Sequence, residues 1–138
     1  MTYARAVVES ARFELDGRRV TGIASFYDEL NRALMPNEEW TLGASLDALD
    51  DLLYGGIGEL AEVTSPIIVM RHHERVREAL GVAATRAYYL QKLSHPEVFH
   101  VERFRRQLAE LDAGRGPTYF DTVCEVFAGH PNVRLVLD

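Results

Sequence analysis

The sequence holds a single cysteine, Cys124, in 138 residues. A lone thiol closes no intramolecular disulfide, and thiolates alone cannot build a zinc site here, so the expected setting is a reducing cytoplasm. No apolar run approaches the roughly 20 residues that span a bilayer, and no membrane segment is expected. Met1-Thr2-Tyr3-Ala4-Arg5 has no long apolar stretch behind its one basic residue, so no secretory leader is expected either. Dinucleotide-binding glycine motifs, a Walker loop, a nucleophile-elbow motif, internal repeats and low-complexity tracts are all missing. The most informative gap is in positive charge. No Lys or Arg stands between Arg32 and Arg71, while Glu38, Glu39, Asp47, Asp50, Asp51, Glu59 and Glu62 fall inside that window.

What is present describes one folded domain: 47% hydrophobic and 26% charged residues, in a length that supports one core and not two. The formal net charge is −6, from 15 basic and 21 acidic residues, and without those seven acids 14 acidic would face 15 basic. The whole negative excess therefore lies in one stretch. Such a stretch repels phosphate backbones and attracts a basic partner, which argues against direct binding of nucleic acid.

Periodicity outlines an α/β chain. Arg12-Phe13-Glu14-Leu15-Asp16 alternates as a strand and ends on an Asp16-Gly17 turn, with Tyr3 to Val8 either an earlier strand or a loosely held terminus. Ile23, Phe26, Leu30 and Leu34 follow a helical spacing, capped at Thr21 or Ser25 and stopped at Met35-Pro36. A polar loop then carries the only tryptophan, Trp40. Ser45 is a good N-cap for a short helix that stops at Tyr54-Gly55-Gly56. Ser65 to Met70 reads as a buried strand, and Arg71 to Leu80 and Ala83 to Leu93 as helices. Ser94-His95-Pro96-Glu97 has the capping-box spacing and is expected to open a helix striped with Val101, Phe104, Leu108 and Leu111. Tyr119 to Phe127 is the last helix and Val133 to Leu137 a closing strand. Strands separated by helices imply crossover connections and a mostly parallel sheet.

The Ser45 helix is the sharpest feature. At 100° per residue, Leu46, Leu49 and Leu53 fall together toward the core. Asp47, Asp51 and Tyr54 cluster opposite, with Asp50 between the two groups. Asp47 and Asp51 repel each other at i, i+4, which costs roughly 0.5 kcal/mol at most. Carboxylates and a tyrosine on one helix face, beside a loop bearing Trp40, form a protein-binding patch of anchors flanked by charge.

Phe13-Glu14-Leu15-Asp16-Gly17-Arg18-Arg19-Val20, then Phe26-Tyr27-Asp28-Glu29-Leu30, Pro36, and above all Gly43-Ala44-Ser45-Leu46-Asp47-Ala48-Leu49-Asp50-Asp51-Leu52-Leu53 resemble the barstar family of intracellular ribonuclease inhibitors. Ser65 to Arg71 and Asn132 to Asp138 resemble that fold's second and third strands. The resemblance implies a barstar-like α/β fold, a small three-stranded parallel sheet packed with helices. It also implies an acidic face that plugs a basic nuclease active site. Asp51 matches the aspartate that stands in for a substrate phosphate, Asp47 the aspartate one turn earlier, Trp40 the loop aromatic and Glu125 an acid on the last helix. Thr41-Leu42-Gly43 replaces a Tyr-Tyr-Gly, Asp50 replaces a tryptophan, and about residues 82–117 form a helical insertion before the last helix of this single domain. The target implied is a basic ribonuclease or nuclease toxin, bound through Trp40, Asp47, Asp50, Asp51, Tyr54 and Glu125, with the chain serving as an immunity protein or antitoxin and not as an enzyme.

The other features carry less. His72-His73-Glu74 are adjacent and point in different directions, so no metal site is expected, nor any cofactor. His95 and His100 read as surface histidines, and Cys124, among Val123, Val126 and Phe127, as a buried inert thiol. The insertion carries Arg86, Lys92, Arg103, Arg105, Arg106 and Arg115 against Glu97, Glu102, Glu110 and Asp112. Its apolar stripe packs on the sheet or a neighbouring helix, or else forms a homodimer or adds a second contact surface. The alternative function is a barstar-like interaction or scaffold module that inhibits no nuclease.

Overall fold

In the computed structural model, residues 8–95 and 100–138 are described. Three parallel strands, β1 (Val8–Asp16), β2 (Val63–Arg71) and β3 (Arg134–Leu137), lie side by side in that order. Phe13 pairs with Ile68, and Ile68 with Leu135, so the central strand is β2. Its run from Pro66 to Met70 is nearly all buried, as expected of a strand flanked on both sides. Helices α1 (Ile23–Leu34), α2 (Leu46–Leu53), α3 (His73–Ala79), α4 (Val82–Leu93), α5 (Val101–Asp112) and α6 (Tyr119–Ala128) fill the crossovers. The α/β, barstar-like reading of the fold holds. Strand β1 begins four residues earlier than its alternation suggests, because residues as early as Val8 continue the ladder with β2. Of the expected earlier strand, Tyr3 to Val7 lie outside the described residues.

The core joins Leu15, Ile68 and Met70 of the sheet to Phe26, Leu30 and Leu34 of α1, Leu49, Leu52 and Leu53 of α2, and Val123 and Phe127 of α6. Tyr27 is also in it, 2% exposed, its hydroxyl sharing a 2.7 Å hydrogen bond with that of Tyr119. Burial drives the Tyr27 phenol far up, and the bond to Tyr119 adds to the effect. A phenol in an apolar core needs such a partner, and this pair joins α1 to α6.

The carboxyl ends of the strands are tied by charge. Glu29 is 2% exposed; it accepts from the Asp16 backbone N–H and takes the Arg32 guanidinium through both oxygens. Arg71 of β2 bridges Glu14 of β1 and Asp138, the residue after β3. Gly17 turns directly under the Arg71 and His72 carbonyls, where any Cβ would overlap backbone oxygen.

Helix α1 starts one residue after Gly22, and Ser25 supplies the cap: its Oγ accepts from the Thr21 and Gly22 N–H groups. Ser94 closes α4 instead of opening α5, its hydroxyl donating to the Gln91 carbonyl. Helix α5 begins at Val101, after His100 at φ 106°, while residues 96–99 of the expected capping box lie outside the described residues. Helix α5 packs chiefly on α4 as a helical hairpin. Leu111 is buried, Phe104 lies 6.2 Å from the Tyr89 ring, and Arg86 reaches Asp112. Of the apolar stripe, Leu111 is buried, while Val101, Phe104 and Leu108 are half-buried.

Candidate protein-binding face

The loop between α1 and α2 is held from α1. Asn31 Oδ1 accepts from the Leu42 N–H at 2.7 Å, its Nδ2 donates to the Leu42 carbonyl at 3.2 Å, and the Leu42 side chain is buried. Further along, Asn37 Nδ2 donates to Glu59. Between these anchors Trp40 stands 47% exposed, a large ring left at the surface by a loop that is fixed on both sides.

Ser45 then caps α2, its Oγ accepting from the Ala48 N–H. Leu49, Leu52 and Leu53 are at most 1% exposed, while Leu46, expected with the core residues, is half-buried. Packing against α6 on one flank shifts the apolar arc toward Leu52. Burying three leucines is worth about 5–9 kcal/mol as an upper bound, an order of magnitude above the Asp47–Asp51 repulsion. The core therefore holds the helix while like charges share its outer face.

Asp47 and Asp51 are both exposed, one turn apart, and neither forms an ion pair among the described residues. Tyr54, the C-cap, is 73% exposed. Gly55 and Gly56 follow at φ 86° and 85°, a left-handed turn that ends the helix beside the tyrosine. Helix α4 borders the start of this face: burial pushes the Tyr88 phenol up, Arg103 pulls it down, and the Asp47 carboxylate pushes it up again. The hairpin adjoins the acids and leaves Asp47 and Asp51 open to solvent.

Asp50 is placed differently from its neighbours. Its Oδ1 accepts from His130 Nε2–H at 2.7 Å, and His130 is 5% exposed just beyond α6. The imidazole also meets the Tyr54 ring edge-on, with centroids 4.7 Å apart. Asp50 is a partnered charge, and His130 is a residue that sequence reasoning missed, since it reads there only as part of a helix stop. Glu125 is exposed on α6, the helix packed against α2, without a described contact to the α2 acids.

Residues 11–95 match the family model described as Barstar (barnase inhibitor), which is more than half of the chain. The chain belongs to the barstar family. Barstars are inhibitors and not enzymes. The match takes in most of β1 and all of α1, α2, β2, α3 and α4, so Trp40 and the α2 acids lie inside it, while α5, α6 with Glu125, His130 and β3 follow it. No curated protein and no solved structure matches the chain significantly.

Elsewhere the site-forming residue types are occupied or scattered. His73 turns to Glu74 and to the Asp138 carbonyl. No three His, Cys, Asp or Glu side chains gather around a point that could hold a metal, among the described residues. Cys124 is half-buried, and burial raises its thiol, with Asp121 adding to the rise and Arg77 opposing it. No helix among the described residues is long and apolar enough to cross a membrane.

Proposed function

We propose that this barstar blocks the basic active site of a barnase-type ribonuclease in the cytoplasm, as an immunity protein whose Asp51 occupies the place of a substrate phosphate. Asp47, Trp40 and Tyr54 flank that carboxylate, Asp50 supports it, and Glu125 extends the contact along α6. The observation that carries this reading is the pair of exposed carboxylates, one turn apart and without ion-pair partners among the described residues, on a capped and leucine-anchored helix of a chain in this family. A nuclease cleft is cationic because it binds phosphodiesters. Acids already fixed on a packed helix meet it with little ordering loss, and their field speeds encounter. We read residues 96–117, beyond the matched residues, as an addition to the family frame beside this face, whereas 82–95 of the expected insertion lie inside the match.

Titration of barnase with the protein, followed by RNA cleavage, tests the reading. Inhibition should saturate near one protein per enzyme and weaken with added salt. The substitution Asp51→Ala should weaken it roughly thirtyfold or more. If Asp51→Ala inhibits as well as the parent, Asp51 does not have this role.

The α4–α5 hairpin favours a second reading, an interaction module without nuclease inhibition. It leaves Arg103, Arg105 and Arg106 exposed on α5. Absence of inhibition together with a dimer in sedimentation, lost on changing those arginines to glutamate, would support it.

A further inference from the structure

We infer that His130 is a positioning residue for the acidic face, holding Asp50 and Tyr54 so that a partner meets them already set; this rests on reading that face as the ribonuclease contact. The imidazole is almost wholly buried at 5% exposure, although it lies in the connection between α6 and β3. Its main chain is fixed on both sides: the His130 N–H donates to the Phe127 carbonyl, and the His130 carbonyl accepts from the Val133 N–H. The backbone thus sets where the ring can sit. From there Nε2–H donates to Asp50 Oδ1 at 2.7 Å, and the ring stands at 88° to that of Tyr54.

Tyr54 needs such a neighbour. It is 73% exposed, and among the described residues its ring touches no other ring and its hydroxyl makes no hydrogen bond. A tyrosine free to change rotamer must be ordered when a partner binds, which weakens the complex. One turn earlier, a mobile Asp50 would sit beside the Asp51 and Asp47 carboxylates at no fixed distance. His130 restrains both at once, across 80 residues of chain.

The test measures barnase binding to the parent and three variants. His130→Ala removes the donor and the ring, His130→Gln keeps a donor near the Nε2 position, and His130→Phe keeps a ring. We expect His130→Ala to raise Kd about tenfold, mostly through faster dissociation. Gln and Phe should each recover part of the loss. Tyr54→Ala should cost less in the His130→Ala background than in the parent. Parent-like binding by His130→Ala, or full additivity with Tyr54→Ala, overturns the inference. Should His130→Ala fail to fold, the cycle of His130→Gln with Tyr54→Ala measures the same coupling, because Tyr54 lies at the surface. Asp51→Ala in the same assay keeps the two claims apart: no loss there overturns the role given to Asp51 alone, and no binding of barnase by the parent overturns the ribonuclease reading. Positioning is then read in the free protein, where NMR should show Tyr54 ring order falling in His130→Gln; unchanged order overturns it.

Discussion

At the carboxyl ends of the strands Glu14, Asp16, Glu29 and Asp138 each face an arginine; on α2, among the described residues, Asp47 and Asp51 face none. The first group is consumed in joining β1, β2, β3 and α1. The second does nothing for the fold, since its mutual repulsion is slightly unfavourable and only the leucines beneath keep it in place. Equal charges thus have different uses, distinguished by partners and burial. A paired acid ties the fold, and the unpaired ones on α2 stand open to solvent.

The largest break in this contrast should come from Glu29→Ala. It removes a buried carboxylate and leaves the Asp16 N–H without its acceptor, so urea unfolding should show a loss of about 2–3 kcal/mol. Binding to barnase, measured where the variant is folded, should change little. The paired change Asp47→Asn with Asp51→Asn should move the two quantities in opposite directions: much weaker inhibition, with stability unchanged or higher by roughly 0.5 kcal/mol or less. A stability loss there would show that the face also serves the fold. The smallest effect concerns pH. The Arg18 side chain and backbone N–H both donate to Asp16, holding its carboxyl at about 2 against an ordinary 3.8. A depressed carboxyl contributes fully above its unfolded value, so this contribution is complete above pH 3.8 and disappears as pH falls through about 2. Acid titration of Asp16→Asn should show a shallower stability loss across that interval.

Much of the face is legible in the sequence because its determinants are local. The Ser45 cap, the leucine spacing, the glycine stop and the missing Lys and Arg all lie within about 40 residues, and the first three each act over one or two helical turns. The strand-and-helix order is legible for the same reason. Residues whose roles depend on distant partners are not. Glu29 looks like any acid on a helix until the end of β1 is laid against it. Tyr27 falls outside the expected apolar stripe of α1, yet it is buried because Tyr119 arrives 92 residues later to share its hydroxyl. His130 stands between glycine and proline in a segment that signals only a stop. Ser94 could have served either neighbouring helix, and the free carbonyl at the end of α4 claimed its hydroxyl.

The glycine turn behind Tyr54 has an evolutionary consequence. With Ser45 at one end and Gly55-Gly56 at the other, α2 is an eight-residue cassette whose inward positions specify the architecture and whose outward positions 47, 51 and 54 do not. Drift at those three sites leaves the hydrophobic foundation untouched. On the ribonuclease-inhibitor reading proposed above, the contact surface can therefore be revised residue by residue while the scaffold stays the same.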